Sequence, residues 1–516
     1  MAKRRSHEVF HPYRTIQILL AISTLAFGAV LAEGQTTSYD EPYRPQVHFS
    51  PRTNWTNDPN GLVYFHGEYH LFFQYNPFGD QWGHMSWGHA VSTDLLHWHE
   101  LPVAIPERGN TMIFTGSIVV DRDNTSGLCL QKTACMIAIY TGSTKTPEGQ
   151  RQTQNLAYSH DDGRTWTQYR ANPVLNLDMA DFRDPSVSWD DSRHHWVMAV
   201  SLPTQHKVRL YASSDLKAWT LLSEFGPAGD TAGAWECPDL LHVPVANGKG
   251  EGMWALKVGL NPGAPQGGSG EQYFLGNFDG THFLPSRSPG ARGWTNYGKD
   301  DYCAISYNGL PAHSLPILIG WMNNWQYAGQ LPTAPWRGQM SLPRRLSLRQ
   351  DAAGVALRQQ PIVSPLYANT KSVEATIAGP KGTILLQQHA PFSLDLHFDA
   401  PQARNFGLRL YTDKDHWTEI GFDRHKNEFY IDRTRSSIPV SSDFPARTSA
   451  PLVASRPYDL QIVVDRSSVE AYAQDGTITM TDLIFPLSYE NSVEVFSSDG
   501  APVVVKGKSH KLRPIW

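Results

Sequence analysis

A loose internal repeat constrains the fold of this chain more than any other feature of its sequence. In each copy an apolar segment reaches Ser and Asp, turns, and returns through an aromatic residue. The three clear copies are residues 88–98, 156–166 and 210–219, and a weaker copy is 273–283. The closing aromatic residues recur roughly every 50 to 70 residues, the size of one four-stranded propeller blade with long loops. The repeat therefore predicts a β-propeller in which these copies are the outer hairpins of successive blades.

The predicted propeller extends from residue 43 to residue 360. This stretch reads as short strands punctuated by Gly, Pro, Asn and Asp, with almost no helical periodicity. A fifth blade is needed to close the ring. Its candidate strands are 315–321 and a strand near Met340, with the segment 43–49 as a candidate to complete the blade.

From residue 361 to residue 516 the sequence pattern changes to strict alternation of apolar and polar residues. Apolar residues recur at every second position, as at Phe392, Leu394, Leu396 and Phe398, and again at Leu460, Ile462 and Val464. This is the pattern of half-buried antiparallel strands. The predicted fold class is therefore all-β, a five-bladed β-propeller followed by a C-terminal β-sandwich.

The first 32 residues have the features of a signal peptide. A basic start with Lys3, Arg4 and Arg5 precedes an apolar run over residues 16–31, and Val30-Leu31-Ala32 offers a cleavage site. The run is short for a membrane span. Secretion, to the outside of the cell or the periplasm, is therefore favoured over an uncleaved anchor. Roughly 480 residues remain after cleavage, which favours at least two domains.

Charge and composition exclude several classes of partner. The formal net charge is −5, and the 44 basic residues form no long run, so we expect no nucleic-acid partner. We also expect no membrane contact after signal cleavage, and a monomer or weak oligomer. The 16 Trp and 21 Tyr residues suit stacking against sugars, although core packing explains such rings equally well.

Four cysteines do not make a disulfide scaffold in a chain of this size. Cys129 and Cys135 are close enough in sequence to bridge a short loop in an oxidising compartment. Cys237 and Cys303 have no evident partners, and we expect both to be buried thiols.

Three acidic residues share one sequence setting and one position within the repeat. Asp58, Asp184 and Glu236 lie among turn formers and precede proline and apolar segments. Each falls in the early, innermost-strand part of a different blade. Because innermost strands line the propeller axis, we expect the three carboxyl groups to converge at one end of the central channel and form a sugar-sized pocket.

These residues resemble the motifs of glycoside hydrolase family 32, the invertases, inulinases and levanases. The matches, in order, are Asn57-Asp58-Pro59-Asn60-Gly61, Phe182-Arg183-Asp184-Pro185 and Glu236-Cys237-Pro238. The resemblance implies five blades, Asp58 as nucleophile, Glu236 as acid/base and Asp184 as the group that binds fructosyl hydroxyls. It implies substrate contacts by Asn57, Gln74, Trp82, Ser117, Arg183 and Trp321.

The resemblance implies a secreted, exo-acting, retaining β-fructosidase acting on fructan or sucrose. Residues 267–274 look more like exo-inulinases and levanases than plant-type invertases. Two carboxyl groups about 5 to 5.5 Å apart give retention, and a wider gap gives inversion. The alternatives are an inverting five-bladed arabinan- or xylan-acting hydrolase, and a non-catalytic sugar-binding propeller. No cofactor or metal is implied, since His84, His89, His97 and His99 lack a tight ligand spacing.

The sequence leads to predictions for two glycosylation sequons and for one acidic residue of the sandwich. Thr56 stands where the family commonly has Met, and it creates a glycosylation sequon at Asn54. A glycan at Asn54 would obstruct the strand of the proposed nucleophile, so we expect Asn54 to be unmodified. Asn124 is the more credible acceptor. Glu470, in the hairpin of the predicted sandwich, is interpreted as structural, on a solvated strand face.

Overall fold

The structure, a computed structural model, describes residues 39–130, 133–246, 250–288, 290–436 and 440–516. The predicted signal peptide lies outside the described residues. Helix in the described ranges consists of three 3₁₀ turns, Pro203–Gln205, Ala328–Gln330 and Ser364–Leu366. None of these could cross a membrane.

The N-terminal part consists of five sheets that are antiparallel and formed in chain order, except for one short parallel strand that joins the first sheet. The first contains β1 (Asn54–Phe65), β2 (Glu68–Asn76), β3 (Ser86–Ser92) and β4 (His99–Ile105); the second β5 (Thr111–Asp121), β6 (Cys135–Thr146), β7 (Gly149–Ser159), β8 (Thr167–Gln168) and β9 (Leu175–Met179). The third contains β10 (Arg183–Asp190), β11 (His195–Leu202), β12 (Lys207–Ser213) and β13 (Thr220–Phe225). The fourth contains β14 (Ala234–Val243), β15 (Met253–Asn261), β16 (Gly270–Phe278), β17 (Phe283–Pro285) and β18 (Arg292–Trp294). The fifth contains β19 (Tyr302–Ser306), β20 (Ile317–Trp321), β22 (Arg344–Asp351) and β23 (Gly354–Pro361), whereas β21 (Trp336–Arg337) joins the first sheet.

The first strands of the five sheets form a closed ring. β1 contacts β5, β5 contacts β10, β10 contacts β14, β14 contacts β19, and β19 returns to β1. This is the arrangement of a β-propeller, as the repeat predicts. The ring is closed by β21, which pairs in parallel with β1. The expectation that segment 43–49 completes the fifth sheet is wrong, because β22 and β23 supply its outer strands.

The repeat seen in the sequence corresponds to the hairpins between the third and fourth strands of successive sheets. In the first, Oδ1 of Asp94 accepts hydrogen bonds from the backbone N–H groups of Leu96 and His97. Asp215 holds Lys217 and Ala218 in the same way. The repeated spacing thus corresponds to a turn whose backbone N–H groups need a short acceptor side chain.

The C-terminal part is a sandwich of two six-stranded antiparallel sheets. One sheet contains β24 (Tyr367–Ile377), β26 (Phe392–Asp399), β31 (Tyr458–Val464), β32 (Ser468–Ala473), β33 (Ile478–Leu483) and β35 (Val503–Leu512). The other, which we call the outer sheet, contains β25 (Thr383–His389), β27 (Asn405–Tyr411), β28 (Trp417–Asp423), β29 (Glu428–Arg435), β30 (Arg447–Pro451) and β34 (Glu490–Ser497). The alternating residues Phe392, Leu394, Leu460 and Ile462 form part of the buried core between the two sheets, as period-two alternation predicts.

Propeller and sandwich meet through buried charged groups. His48 lies before the first propeller strand, and its Nδ1 is 2.8 Å from Oδ2 of Asp465. Glu470 is fully buried; it accepts a hydrogen bond from the backbone N–H of Leu342 at 3.0 Å and another from the hydroxyl of Tyr472. The expectation of a solvated face for Glu470 is therefore wrong, because the sheet face that carries it packs against the propeller.

Candidate active site

Each of the five innermost strands contains a β-bulge at the equivalent place. Pairing shifts between Thr56 and Pro59, Ile113 and Gly116, Arg183 and Ser186, Glu236 and Asp239, and Tyr302 and Ile305. Bulges bend a strand and redirect side chains, and proline fits there because a bulged residue makes no ladder hydrogen bond. The repeated bulge brings Asp58, Asp184 and Glu236 to one end of the ring.

Asp58 has one engaged and one free carboxylate oxygen. Its Oδ2 accepts a hydrogen bond of 2.8 Å from the hydroxyl of Thr115, whereas Oδ1 has no partner among the described residues. Burial raises the pKa of Asp58 to about 6, although the hydrogen bond from Thr115 opposes the shift. A fixed carboxylate with one unengaged oxygen is the arrangement that a nucleophile needs.

Glu236 is held by two donors from the neighbouring sheets. Nε of Arg183 donates to Oε1 at 3.0 Å, and the hydroxyl of Tyr302 donates to Oε2. Arg183 is itself fixed by Oδ1 of Asp181 at 2.8 Å and Oε1 of Gln152 at 3.2 Å. Burial, together with the nearby charge of Glu236, raises the pKa of Tyr302 well above its ordinary value, so the phenol keeps its proton and donates.

Asp184 is buried and has a left-handed backbone conformation, with φ of 66°. Its N–H donates to the hydroxyl of Thr141 at 2.9 Å, and its Oδ2 accepts from the N–H of Cys237, also at 2.9 Å. Burial raises the pKa of Asp184 to about 7; Arg183 opposes this shift, and the charges of Glu236 and Asp58 add to it. Strained backbone of this kind is characteristic of functional sites.

The other predicted contact residues are less uniformly placed. Asn57 is buried beside Asp58 and accepts a hydrogen bond of 2.8 Å from Nε1 of Trp55. Ser117 is buried on β5, and its hydroxyl accepts a hydrogen bond from the N–H of Val187 at 2.9 Å. Gln74 is buried on β2, with Nε2 3.0 Å from the side-chain amide of Asn60. Of these three, Asn57 lies in the bulge that carries Asp58.

The two tryptophans differ in exposure. Trp82 is 46% exposed and lies edge-on to Phe114, with ring centroids 6.1 Å apart. Trp321 is fully buried and packs against Trp55 and Trp325, with centroids 6.0 and 4.8 Å apart. Trp82 is therefore accessible to a sugar, and Trp321 forms the wall behind the bulge of β1.

The sequence matches two family descriptions that together cover almost the whole described chain. They are Glycosyl hydrolases family 32 N-terminal domain, over residues 48–361, and Glycosyl hydrolases family 32 C terminal, over residues 355–511. The chain belongs to glycosyl hydrolase family 32. It is accordingly a fructoside-cleaving glycosidase, which decides against an arabinan- or xylan-acting hydrolase and against a non-catalytic propeller.

Relatives within family 32 agree over nearly the full length of the chain. It is 41% identical to the levanase of Bacillus subtilis (strain 168), covering 98% of this chain and 75% of that protein. It is 40% identical to the extracellular exo-inulinase inuE of Aspergillus niger, covering 97% and 99%. The crystal structure of the exo-inulinase from Aspergillus awamori superposes with a TM-score of 0.85 at 39% identity, covering 93% of this chain and 100% of that chain.

The family 32 site contains a cysteine pair that the sequence interpretation missed. Cys237 and Cys303 are joined by a disulfide, with Cα atoms 5.3 Å apart, so the expectation of two buried thiols is wrong. A sequence separation of 66 residues conceals the pairing, which exists because β14 and β19 adjoin in the ring. Cys129 and Cys135 are also paired, as their spacing suggested.

The sequence interpretation also missed two hydrogen-bond donors to the candidate acids, Thr115 to Asp58 and Tyr302 to Glu236. Both were within reach of the motif analysis, since Thr115 is two residues before Ser117 and Tyr302 directly precedes Cys303. Thr56, by contrast, is buried and its hydroxyl donates to the carbonyl of Gln74 at 3.0 Å. The threonine at position 56, where the family commonly has methionine, is thus accommodated behind Asp58 by one hydrogen bond to β2.

Proposed function

We propose that this family 32 enzyme is a secreted, exo-acting, retaining β-fructosidase that releases terminal fructose from inulin, levan or sucrose. One observation carries the assignment of roles. Among the described residues, Oδ1 of Asp58 has no hydrogen-bond partner, whereas both oxygens of Glu236 are held by donors on neighbouring sheets. Asp58 is thus arranged to attack, and Glu236 to exchange a proton from a fixed position.

In the first step Oδ1 of Asp58 attacks the anomeric carbon of the terminal fructosyl unit. The bond from that carbon to the glycosidic oxygen breaks, and Glu236 gives its proton to the departing oxygen. In the second step Glu236 takes a proton from water, whose oxygen attacks the same carbon and releases Asp58. Fructose leaves with its original anomeric configuration because it has been inverted twice.

Asp184 supports these steps as a binding group. Its Oδ2 is held by the N–H of Cys237, which leaves Oδ1 for the fructosyl hydroxyls. Arg183 limits the repulsion among the three acids and orients Glu236. Asn57 and the exposed ring of Trp82 are further candidate contacts with substrate, and Gln74, Ser117 and Trp321 support the pocket from behind.

Product analysis tests the proposal. Purified enzyme is incubated with sucrose, inulin and levan, and proton NMR follows the first anomer formed. Early β-fructofuranose and no ladder of shorter oligomers from the polymers are expected. Early α-anomer would overturn retention, and a ladder would overturn exo action. Recovery of the enzyme from the culture medium rather than the cell pellet tests secretion.

A further inference from the structure

A second candidate sugar site lies on the solvent-facing side of the outer sheet of the sandwich, away from the propeller axis. Strand register aligns Gln387 with Ser492, Ser492 with Tyr411, and Tyr411 with Trp417, and the row ends at Arg435, which is opposite Trp417. Side chains that are directly opposite in a sheet lie on the same face. We call Gln387, Ser492, Tyr411 and Trp417 the outer row.

The outer row faces solvent because its neighbours along the strands face the core. Leu410 and Val493 are buried between the two sheets, so Tyr411 and Ser492 point away from them. Gln387 is exposed, and Ser492, Tyr411 and Trp417 are half-buried. The rings of Tyr411 and Trp417 lie side by side, with centroids 5.3 Å apart.

Polar groups in the outer row are unengaged. Across the described ranges, no hydrogen-bond partner is found for the amide of Gln387 or for the hydroxyls of Ser492 and Tyr411. The next row on the same face is different, since Arg409 pairs with Glu419 at 2.7 Å and Glu494 at 3.2 Å. One row is therefore a satisfied ion-pair ladder, whereas its neighbour keeps its donors and acceptors free.

Gln387, Ser492 and Tyr411 of the outer row border a cleft of about 600 Å³. Its rim carries both signs of charge, with Lys414 and His389 beside Asp413 and Glu490. At the cleft the ring of Tyr411 is flanked by a free amide and free hydroxyls, and the rim carries charges of both signs, which matches a neutral polyol better than an ion or a nucleic acid. The ring of Trp417 lies beside that of Tyr411, and the guanidinium of Arg435 lies 4.6 Å from the centroid of the Trp417 ring. A sugar ring stacks its C–H face on the ring of Tyr411 and hydrogen-bonds at its edges.

We propose that the outer row binds a segment of the neutral fructan chain whose end is cleaved in the propeller; this rests on the proposed function. An exo-acting pocket holds only the end of a polymer, so a second contact raises the local concentration of chain ends. Sucrose is too short to gain from it. The row therefore affects polymers selectively.

The test uses the full-length protein with Gln387→Ala and Tyr411→Ala combined, and Tyr411→Phe as a graded variant. Gln402→Ala, an exposed glutamine elsewhere on the sandwich, is the matched control. Retention on long-chain inulin is measured by affinity electrophoresis in an Asp58→Asn background, and kinetics on long inulin and sucrose in the active background. We expect about tenfold weaker retention and a similar rise in KM for inulin in the double variant. The kinetics on sucrose should be unchanged, and the control should match the parent.

Each alternative result has a distinct meaning. An active parent whose double variant binds and cleaves long inulin like the parent would overturn the outer row as a binding site. A parent that releases no fructose from any of the substrates would instead overturn the proposed function. A double variant that changes oligomeric state in light scattering, with unchanged inulin binding, would assign the face to contact between copies of the chain and overturn the proposal.

Discussion

The backbone N–H of Cys237 donates a hydrogen bond of 2.9 Å to Oδ2 of Asp184, and so joins the third and fourth sheets of the propeller at the end that carries the three acids. Cys237 also follows Glu236 in the chain, and its Sγ is 3.9 Å from Oδ2 of Asp58. One residue therefore contacts or adjoins all three acids. The site is a set of inter-sheet contacts, and its activity depends on the register of neighbouring sheets.

Asp58→Asn and Glu236→Gln should each lower sucrose hydrolysis by a factor of about 10² to 10⁴ or more, with unchanged circular dichroism. An aryl fructoside with a good leaving group separates the roles. The aryl group leaves without being protonated, so the Glu236→Gln enzyme should still release a burst of aryl alcohol. The Asp58→Asn enzyme lacks the attacking carboxylate and should release none. The reverse pattern would exchange the two roles.

Thr115→Val should shift the acid limb of the pH–activity profile. In the proposed mechanism Asp58 attacks as a carboxylate. Burial raises its pKa to about 6, so we expect activity to fall as pH drops through that region. The hydrogen bond from Thr115 favours the charged form, and its removal raises the pKa of Asp58 further. The acid limb of kcat/KM should move to higher pH, while Thr115→Ser stays near the parent. A limb that stays in place or moves to lower pH would contradict the role of Thr115.

The disulfide between Cys237 and Cys303 should support both stability and activity. It closes a loop with a separation of 66 residues, for which chain entropy gives about 4 kcal/mol. It also fixes Glu236 relative to Tyr302, so Cys303→Ser should lower kcat by about tenfold or more.

Cys129→Ser with Cys135→Ser is the matched control, since that disulfide has a separation of only 6 residues and lies outside the site. Activity and urea unfolding are measured for both variants. Equal kcat in the Cys303→Ser enzyme and the parent would show that the cross-link does not position Glu236.

His48→Gln should destabilise the contact between propeller and sandwich. Burial alone lowers the pKa of His48, but the hydrogen bond to Asp465 and the carboxylate of Glu470, 3.6 Å from Nε2, outweigh it and raise the pKa to about 9. The raised pKa stabilises the fold fully below the ordinary histidine pKa, and this stabilisation is lost as pH rises through about 9. Removing one partner of a buried ion pair costs about 3 to 5 kcal/mol.

Thermal unfolding at pH 6, 8 and 10 checks this prediction. The difference in Tm between parent and His48→Gln should be largest at pH 6 and smallest at pH 10. His397→Gln, an exposed histidine paired with Asp459, is the control and should change Tm little at any pH. A difference that grows with pH would contradict a charged His48.

The fold was largely predictable because its signals are local. The turn at Asp94 and Asp215 needs a short acceptor side chain, and the alternation around Phe392 reports a strand with one buried face. Such features appear in any short window of sequence. The closing of the ring was not predictable in this way, since β21 joins β1 across almost the whole length of the propeller.

The sequence by itself determined which acids form the candidate site, because Asp58, Asp184 and Glu236 recur at one position of a repeating blade. Tertiary structure alone decided how they are held. Thr115, Tyr302 and the partner of Cys237 come from other sheets, and Glu470 is buried because a second domain covers it. The reason is physical: periodicity encodes which face of a strand is buried, whereas contacts between distant segments depend on how whole sheets pack.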